Sequence, residues 1–204
     1  MLHPATVEPH TLELLTQLMQ LPTLNRFALA GGTNLALRYG HRLSVDLDLF
    51  TNQSFLTNEL SEELLNRFPE AIVTDESKNS ISLFIRTIKV DLLAHQYPLL
   101  QPYELIGQIR FWSVQDVIAM KLNAVSGRGA KKDFWDVAEL LNHFSLTDLL
   151  SCFTRKYINS DPGYVVRSLT YFDDAEEQAD PISLNGMTWA AVRQPIIQAV
   201  RQLV

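Results

Sequence analysis

The stretch "VDLDLF", residues 45 to 50, places two aspartates one residue apart within an otherwise apolar segment that reads as a strand. Side chains of a strand alternate between its two faces, so Asp46 and Asp48 point to one face while Leu47 and Leu49 point to the other. At about 4 Å the repulsion between two such carboxylates is several kcal/mol at an intermediate dielectric. We therefore expect either a protonated aspartate or a bridging cation at this position.

A third carboxylate extends this feature. Asp91 lies in "KVDLLAH", residues 89 to 95, which is a second apolar segment of strand character. Three aspartates on neighbouring strands would form a hard, all-oxygen pocket that suits Mg²⁺ and leaves positions open for water and substrate phosphates. We therefore predict Asp46, Asp48 and Asp91 to be the ligands of a magnesium ion.

Gly31 and Gly32 stand between a predicted strand and a predicted helix, upstream of the aspartate pair. Glycine allows positive φ and lets the backbone approach a ligand closely. A helix that begins at Thr33 would offer its first N–H groups and the positive end of its dipole to a phosphate, and the Thr33 hydroxyl adds a donor. The sequence thus predicts a triphosphate cradle beside the metal, as metal-assisted nucleotidyl transfer requires.

Hydrophobic periodicity divides the chain near residue 110. Before this point helix and strand patterns alternate, which predicts a small mixed sheet; after it the apolar spacing is helical. We predict an α+β protein with an α/β core over residues 1–110 and a helical subdomain over 111–204 that completes the cleft. Ser113 and Thr147 are the predicted caps of two helices. The predicted strands are 27–30, 45–50, 71–77, 80–87 and 89–95, and the predicted helices lie near 10–20, 33–39, 55–68, 113–125, 131–143, 147–157, 162–171 and 188–203.

Composition excludes several classes of protein. The chain has 204 residues, of which 47% are hydrophobic and 20% charged, as in soluble globular proteins. No apolar stretch approaches the roughly 20 residues that cross a bilayer, and no secretory signal is visible, so we expect a cytoplasmic protein without membrane contact. The net charge of −6 argues against a broad nucleic-acid-binding face but not against a local basic patch. Cys152 is the only cysteine, which excludes an intrachain disulfide and a multi-cysteine zinc site.

A second segment, "MKLNAVSGRGAKKDFWDVAELL" at residues 120 to 141, contains further charged candidates. Lys121 lies near an apolar helical stripe and can reach past it, so we predict it to neutralise a triphosphate. The glycine-containing loop adds three cations, among them Arg128 and Lys132, that can meet phosphates or an RNA end. A solvated turn ahead of a helix is the alternative interpretation of this loop. Asp136 has apolar neighbours and is predicted to be a buried, partnered carboxylate that acts as an acid or positions a base.

Two weaker candidates precede the aspartate pair. His41 and Arg42 are close enough in sequence to approach a bound phosphate, although Arg42 could equally pair with Asp48 and hold the loop. His95 is expected to end a strand rather than bind metal, because no second histidine has matching spacing.

The motifs together resemble a known family. "GGTNLALRYGHRLSVDLDLF" followed by "KVDLLAH" is similar to the polymerase-β-type nucleotidyltransferase superfamily, whose sites combine a Gly-Gly or Gly-Ser pair, a helix, an Asp-x-Asp and a separate strand carboxylate. The second segment resembles the Lys…Arg-Gly…Lys-Asp-x-x-Asp region of the AbiE-type (AbiEii) toxins of bacterial toxin–antitoxin and abortive-infection systems. The resemblance covers residues 25 to 145. One departure is that Gly32 and Thr33 stand where many members have Ser after a single Gly.

This resemblance implies a polymerase-β-like fold and an Mg²⁺-dependent transfer of a nucleotide from an NTP to an acceptor. For related toxins the acceptor includes the 3′ end of tRNA. A protein acceptor is the alternative. The resemblance places metal ligands at Asp46, Asp48 and Asp91 and phosphate contacts at Gly32 and Thr33. It also implies a cognate antitoxin, often a DNA-binding protein.

Two other functions are compatible with the same pocket. One is a non-catalytic module that binds a nucleotide or a partner protein, and the other is a kinase-like antitoxin that transfers phosphate. The three intact aspartates disfavour the first, because such carboxylates cost stability when no metal binds them. We expect the choice of acceptor to reside in the helical half.

Overall fold

The computed structural model describes residues 2 to 203. Within these residues the chain forms seven strands and nine α-helices, preceded and interrupted by short 3₁₀ turns. The elements are α1 (Pro9–Met19), β1 (Ala28–Leu29), α2 (Gly31–Tyr39), β2 (Leu47–Thr51), α3 (Thr57–Arg67), β3 (Ile72–Ser77), β4 (Ser80–Ile85), β5 (Ile88–Ala94), β6 (Glu104–Ile106), β7 (Ile109–Phe111), α4 (Val114–Gly127), α5 (Lys131–Leu141), α6 (Leu146–Lys156), α7 (Pro162–Leu169), α8 (Asp173–Glu176) and α9 (Trp189–Arg201).

All strands belong to one mixed sheet with the order β3-β4-β5-β2-β1-β7-β6. The pairs β2–β5 and β1–β7 are parallel, and the other neighbours are antiparallel. The five predicted strands are present, which confirms the α+β class. Strands β6 and β7 were not predicted because each has only three residues, too few to show an alternating pattern. The sheet therefore extends to Phe111, and the domain boundary near residue 110 stays a prediction.

Helices α1 and α3 cover one face of the sheet. Leu14 and Leu18 of α1 and Leu60 and Leu64 of α3 are spaced four residues apart, so each pair lies on one helical stripe. These side chains pack with the inward residues of β2, β4 and β5 in a single buried cluster. Burial of each such leucine contributes about 1.5–3 kcal/mol to stability. This packing holds one face of the sheet against α1 and α3, so the other face is turned away from them.

The helical half packs on the opposite face, but only at one end. Its buried cluster contains Ala28 of β1 and contacts Phe50 of β2, while the other members come from the α2 region and from residues beyond the sheet. Farther along the same face, side chains of β4 and β5 belong to neither buried cluster. This open part of the sheet carries Ser82, Phe84, Lys89 and Asp91.

Three helix starts carry a predicted cap or first residue that can be checked; one agrees with the sequence and two differ. The Ser113 hydroxyl accepts from the Asp116 N–H (3.2 Å), which confirms the predicted cap of α4. The prediction of Thr147 as a cap is wrong, because Ser145 caps α6 and forms a capping box with Asp148. Helix α2 begins at the glycine pair, two residues before its predicted start.

Candidate active site

The glycine pair lets the start of α2 approach two charged side chains. Gly31 has a φ of +63°, and a Cβ atom at this position would lie 1.8 Å from Asp48 Oδ2. A Cβ atom at Gly32 would lie 2.1 Å from Arg42 Nη2. Any larger residue would therefore displace Asp48 or Arg42, which explains the glycines in physical terms.

The helix supplies N–H groups to the site, but not the predicted hydroxyl. Asn34 N–H donates to the Ala30 carbonyl (3.3 Å), so the N–H groups of the preceding residues lie ahead of the helical hydrogen-bond pattern and can meet an anion. Thr33 is 1% exposed, and its hydroxyl donates to the Asp46 carbonyl and contacts Ser44 Oγ (2.8 Å). Contrary to the prediction of a phosphate contact, this hydroxyl holds the loop that carries Asp46.

The three predicted metal ligands lie near one another, two of them on the sheet and one just ahead of it. Asp48 of β2 is in register with Asp91 of β5, so both side chains share the sheet face that is turned away from the α1 and α3 layer. Asp46 precedes β2 rather than lying within it, and its side chain is 35% exposed. Asp91 accepts hydrogen bonds from the Ser82 hydroxyl (2.6 Å) and from the Lys89 ammonium (2.7 Å). The adjacency predicted for the aspartates is thus present.

Lysines neutralise two of these carboxylates. Lys132 Nζ lies 3.3 Å from Asp46, and Lys89 Nζ lies 2.7 Å from Asp91. Across residues 2 to 203, no three carboxylate, histidine or cysteine side chains lie close enough together to hold a metal ion. The aspartates therefore form an adjacent set rather than a finished cage, and lysines are paired with two of them.

Asp48 has the electrostatic properties of a cation ligand. Burial has the largest effect on its pKa and raises it, whereas Lys121 lowers it. The negative charges of Asp91 and Asp46 raise the pKa further. A divalent cation would relieve this repulsion, and carboxylate oxygens are the donors that Mg²⁺ prefers. The chemistry of these donors therefore suits the metal expected from the sequence, although their positions do not form a three-ligand site.

A buried network of ion pairs centred on Asp136 lies behind these carboxylates. Asp136 is 0% exposed and contacts Arg42 Nε (2.7 Å), Arg42 Nη2 (2.9 Å), His41 Nε2 (2.7 Å) and Lys121 Nζ (2.8 Å). Although burial raises the pKa of Asp136, Arg42 and Lys121 hold it well below its usual range. The prediction of a buried, partnered carboxylate agrees with the structure. A role as a proton donor does not, because the group is ionised and has no exposed surface.

Arg42 pairs with Asp136 rather than with Asp48. Its side chain is 4% exposed, and Nη1 also donates to the Leu43 carbonyl (2.9 Å). His41 is buried behind it, so contact between His41 and a phosphate, the weaker prediction, is not compatible with this position. The partner could not be read from the sequence, because Asp136 is 94 residues away from Arg42 along the chain.

Lys121 and Arg128 extend the network toward the cleft. Lys121 is shared between Asp136 and Asp133 Oδ1 (3.0 Å), while Arg128 donates twice to Asp133 (2.8 and 2.9 Å). The Arg128 side chain is 59% exposed despite this pair. Arg42, Lys121 and Arg128 are three cations, and they are paired with only two carboxylates. The network therefore adds positive charge to this wall of the cleft.

A cleft of about 350 Å³ joins these groups, a size within the range of small-molecule sites. Of the residues predicted for the site, it includes all except Thr33, Asp91 and Asp136. One wall carries the cations and the glycines, and another is apolar. The lining residues are Gly31, Gly32, Arg42, Ser44, Asp46, Asp48, Phe50, Val117, Met120, Lys121, Asn123, Ala124, Gly127, Arg128 and Lys132.

Several residues of the site were not predicted. Phe50 follows Asp48 by two residues and Lys89 precedes Asp91 by two, so strand alternation alone could have placed both on the site's face of the sheet. Ser82 reaches Asp91 through the antiparallel register of β4 and β5, which the sequence does not reveal.

Several large or reactive side chains lie in the core and take no part in the site. Trp112 and Trp135 are 0% exposed, and Cys152 is 8% exposed. Strand β5 ends just before His95, whose Nε2 is 3.1 Å from the Tyr157 hydroxyl. Burial lowers the pKa of His95 to about 4, which keeps the ring neutral near pH 7.

Comparison with known proteins decides the family. Residues 13–202 match the sequence model of the protein family described as "Nucleotidyl transferase AbiEii toxin, Type IV TA system". The chain belongs to the AbiEii nucleotidyltransferase toxin family. It is therefore a nucleotidyltransferase of the toxin–antitoxin class, which confirms the enzyme class and the resemblance found in the sequence.

Relatives cover most of the chain. The protein aq_aa25 of Aquifex aeolicus (strain VF5) is 34% identical over 172 residues, which are 81% of this chain and 83% of that protein. The crystal structure of JHP933 from Helicobacter pylori is similar with a TM-score of 0.59 and 19% identity, over 97% of this chain and 93% of that one. The structure of MenT4, nucleotidyltransferase toxin Rv2826c from Mycobacterium tuberculosis H37Rv, has a TM-score of 0.59 and 16% identity, over 92% and 82%. These two structures support the fold. None of the helices described between residues 2 and 203 is long and apolar enough to cross a membrane.

Proposed function

We propose that this AbiEii-family enzyme uses Mg²⁺ to transfer the nucleoside monophosphate of an NTP to the 3′-terminal hydroxyl of an RNA, with tRNA as the first candidate. The observation that carries the proposal is the set of Asp46, Asp48 and Asp91 beside the glycine pair, with Asp48 and Asp91 in register. We also propose a cognate antitoxin that restrains the enzyme, as membership of a toxin–antitoxin family suggests.

The reaction forms one bond and breaks one bond at the α-phosphorus. The acceptor hydroxyl oxygen attacks this atom, the bond to the oxygen that bridges to the β-phosphate breaks, and pyrophosphate leaves. The hydroxyl proton passes to water or to a carboxylate of the site. Mg²⁺ held by Asp46, Asp48 and Asp91 would stabilise the charge that develops on the phosphoryl oxygens.

The protein's own groups bind and orient the triphosphate. The N–H groups at the start of α2 provide donors for phosphate oxygens, and Gly31 allows the backbone to come within contact distance of Asp48. Arg128 and Lys132 are the exposed cations of the cleft and can contact the outer phosphates directly. Lys121, which is 5% exposed and already paired twice, acts mainly through its charge and its position.

A labelling experiment tests the proposal. The purified protein is incubated with each α-³²P-labelled NTP, Mg²⁺ and total tRNA, and we expect label on RNA of increased length. The Asp46→Ala/Asp48→Ala double variant should lose this label, as should the wild type in excess chelator. Asp173→Ala removes an exposed aspartate in α8 and serves as the matched control that retains transfer.

The same assay, repeated with γ-³²P-labelled NTPs, separates the competing functions. Label on polypeptide instead of RNA would show a protein acceptor, and transfer of the γ label without the α label would show a phosphate-transferring enzyme. NTP binding in a calorimeter without turnover on RNA or protein would indicate the non-catalytic module. Absence of transfer by the wild type with every NTP, or unchanged transfer by the double variant, would contradict the proposal.

A further inference from the structure

We propose that the open face of β3, β4 and β5 beside Asp91 is where the acceptor RNA docks, with Phe84 stacking on a base near the 3′ end and Lys89 contacting a backbone phosphate. This inference rests on the proposed function, because it concerns the second substrate of the same site. It differs from the expectation that the helical half selects the acceptor.

The strand register places the proposed surface next to the aspartates. Ser82 is opposite Asp91, and two residues farther along the same strands Phe84 is opposite Lys89. Ile72 of β3 is opposite Phe84, which completes a row of three side chains across the sheet. Two residues of a strand span roughly 7 Å, about the spacing between consecutive nucleotides of an extended single strand. A base on Phe84 would therefore leave the next ribose beside Asp91.

The exposed groups of this row suit a nucleotide chain. Phe84 is 37% exposed and Ile72 is 65% exposed, and Phe84 belongs to neither buried cluster. Aromatic rings on open sheet faces stack bases of single-stranded RNA, and this contact tolerates any base. The Lys89 side chain is 40% exposed and supplies the positive charge that a phosphate needs.

With the NTP in the cleft, the side of Asp48 that faces β5 and β4 is left for the acceptor RNA. The cleft that holds Gly31, Arg128 and Lys132 lies on the α4 side of Asp48. Asp91 is on the opposite side of Asp48, toward β4, and does not line that cleft. In-line attack requires the entering hydroxyl and the leaving pyrophosphate to lie on opposite sides of the α-phosphorus. With the triphosphate in the cleft, the acceptor approaches across β5 and β4.

Lys89 links the two substrates. Its ammonium now contacts Asp91 at 2.7 Å, and a cation bound by Asp91 would displace it. The displaced ammonium would still lie on the open face, where a phosphate of the acceptor can accept its hydrogen bonds. Lys89 would thus exchange one anionic partner for another as the site is filled.

The charge around the surface restricts the contact to a short stretch of RNA. Asp75 and Glu76 of β3 are exposed, and Asp75 is in register with Ser82. Carboxylates at this edge repel a long phosphate backbone, which agrees with the overall charge of −6. We therefore assign only the last one or two nucleotides of the acceptor to this surface.

The test compares two variants with two controls. Phe84→Ala and Lys89→Gln remove the proposed contacts. Leu105→Ala truncates a 70% exposed side chain of β6, at the other edge of the sheet, and Arg86→Gln removes a 53% exposed cation from the turn between β4 and β5. Each is assayed for the KM of the acceptor RNA, for the KM of the NTP and, by fluorescence anisotropy without NTP, for affinity toward a labelled single-stranded RNA.

Stacking on one aromatic side chain contributes about 1–3 kcal/mol, so Phe84→Ala should raise the acceptor KM and the RNA Kd roughly 5- to 150-fold. The KM of the NTP should change less than about twofold, and Phe84→Trp should restore RNA binding, because a larger ring stacks at least as well. Lys89→Gln should also weaken RNA binding and flatten its dependence on salt. The two controls should behave like the wild type.

Three results would overturn the inference. The first is an unchanged acceptor KM and RNA Kd in Phe84→Ala and Lys89→Gln, and the second is weakening by Leu105→Ala and Arg86→Gln to the same extent. The third is a wild type whose only acceptor is a protein. If the wild type transfers nothing, the proposed function fails, and anisotropy alone decides whether RNA binds this surface.

Discussion

The molecule contains two groups of carboxylates that differ in how their charges are balanced. Asp133 and Asp136 of α5 are 0% exposed and are contacted by Arg42, Lys121 and Arg128. Asp46, Asp48 and Asp91 lie at the surface of the sheet, where Asp46 and Asp91 have side-chain exposures of 35% and 27% and one lysine each. The first group has no exposed surface for a ligand, whereas Asp46 and Asp91 of the second are partly exposed and each is held by one lysine.

The two groups also differ in the direction of their pKa shifts. The pKa of Asp136 lies well below its usual range, as expected for a carboxylate that the folded protein holds ionised. The pKa of Asp48 is raised, first by burial and then by the negative charges of Asp91 and Asp46, which nearby lysines do not fully offset. The buried group joins the loop of Arg42 to helices α4 and α5, and the surface group is the proposed binding site for a cation.

The largest effect should come from Asp136→Asn. This change keeps the shape of the side chain but leaves Arg42 and Lys121 buried without their shared anion, which typically costs about 3–5 kcal/mol. We expect a loss of this size in the free energy of unfolding, measured by urea denaturation. Asp46→Asn is the matched control and should cost less than about 1 kcal/mol, because its ion pair is partly solvated. Equal losses would show that the two groups do not differ as described.

The same buried group predicts a dependence on pH. Because the pKa of Asp136 is lower in the folded protein than the ordinary value of 3.8, its contribution to stability is present above pH 3.8 and is lost as the pH falls below it. The free energy of unfolding of the wild type should therefore fall as the pH is lowered below 3.8, and that of Asp136→Asn should change less over the same range. Urea denaturation at several pH values measures both. Identical profiles would contradict the assignment.

Gly31→Ala should give the next largest effect. A Cβ atom would both occupy a positive φ and meet Asp48 Oδ2 at 1.8 Å, so Asp48 must move. We expect a loss of about 2–4 kcal/mol in stability and of at least about 100-fold in nucleotidyl transfer. Gly107→Ala is a close control, because Gly107 has a φ of +62° with no atom within 4 Å of the added Cβ. It should lose about 1–2 kcal/mol of stability and no activity.

Asp48→Asn should have the opposite sign on stability. The pKa of Asp48 is raised in the folded protein, so the ionised form destabilises the fold at neutral pH, and this cost disappears as the pH falls through the raised pKa. The variant should be more stable than the wild type at pH 7, and the gain should shrink at acid pH. Thermal unfolding at several pH values measures this, and transfer activity should be lost. A variant less stable than the wild type at pH 7 would contradict the repulsion.

The sequence predicted the surface group better than the buried one. Strand alternation placed Asp48 on the face opposite Leu47 and Leu49, and the register of β2 and β5 puts Asp91 beside it. The partner of Arg42 was not found, because packing of α5 against the loop joins residues that are far apart in the chain. Periodicity reports a local face, whereas an ion pair between elements depends on tertiary packing.

Thr33 and Asp136 show a second limit. Their residue types were interpreted correctly as a hydroxyl donor and a partnered carboxylate, but the direction of each side chain was not available from the pattern. The Thr33 hydroxyl faces the loop at Ser44 instead of the cleft, and Asp136 is turned toward three buried partners. Strands β6 and β7, which have three residues each, were missed as well.

The smallest effect should come from Lys132→Gln, and it tests the comparison most directly. Lys132 and Lys121 are both lysines paired with aspartate, but their side chains are 47% and 5% exposed. Loss of the exposed pair should change the free energy of unfolding by less than about 0.5 kcal/mol, whereas Lys121→Gln should cost about 3–5 kcal/mol.

Lys132→Gln should also bind Mn²⁺ at least as tightly as the wild type in a calorimetric titration, because Lys132 competes with the cation for Asp46. If Lys132→Gln were as destabilising as Lys121→Gln, or bound Mn²⁺ more weakly than the wild type, the lysine would be part of the scaffold and the surface carboxylates would not be free to exchange partners.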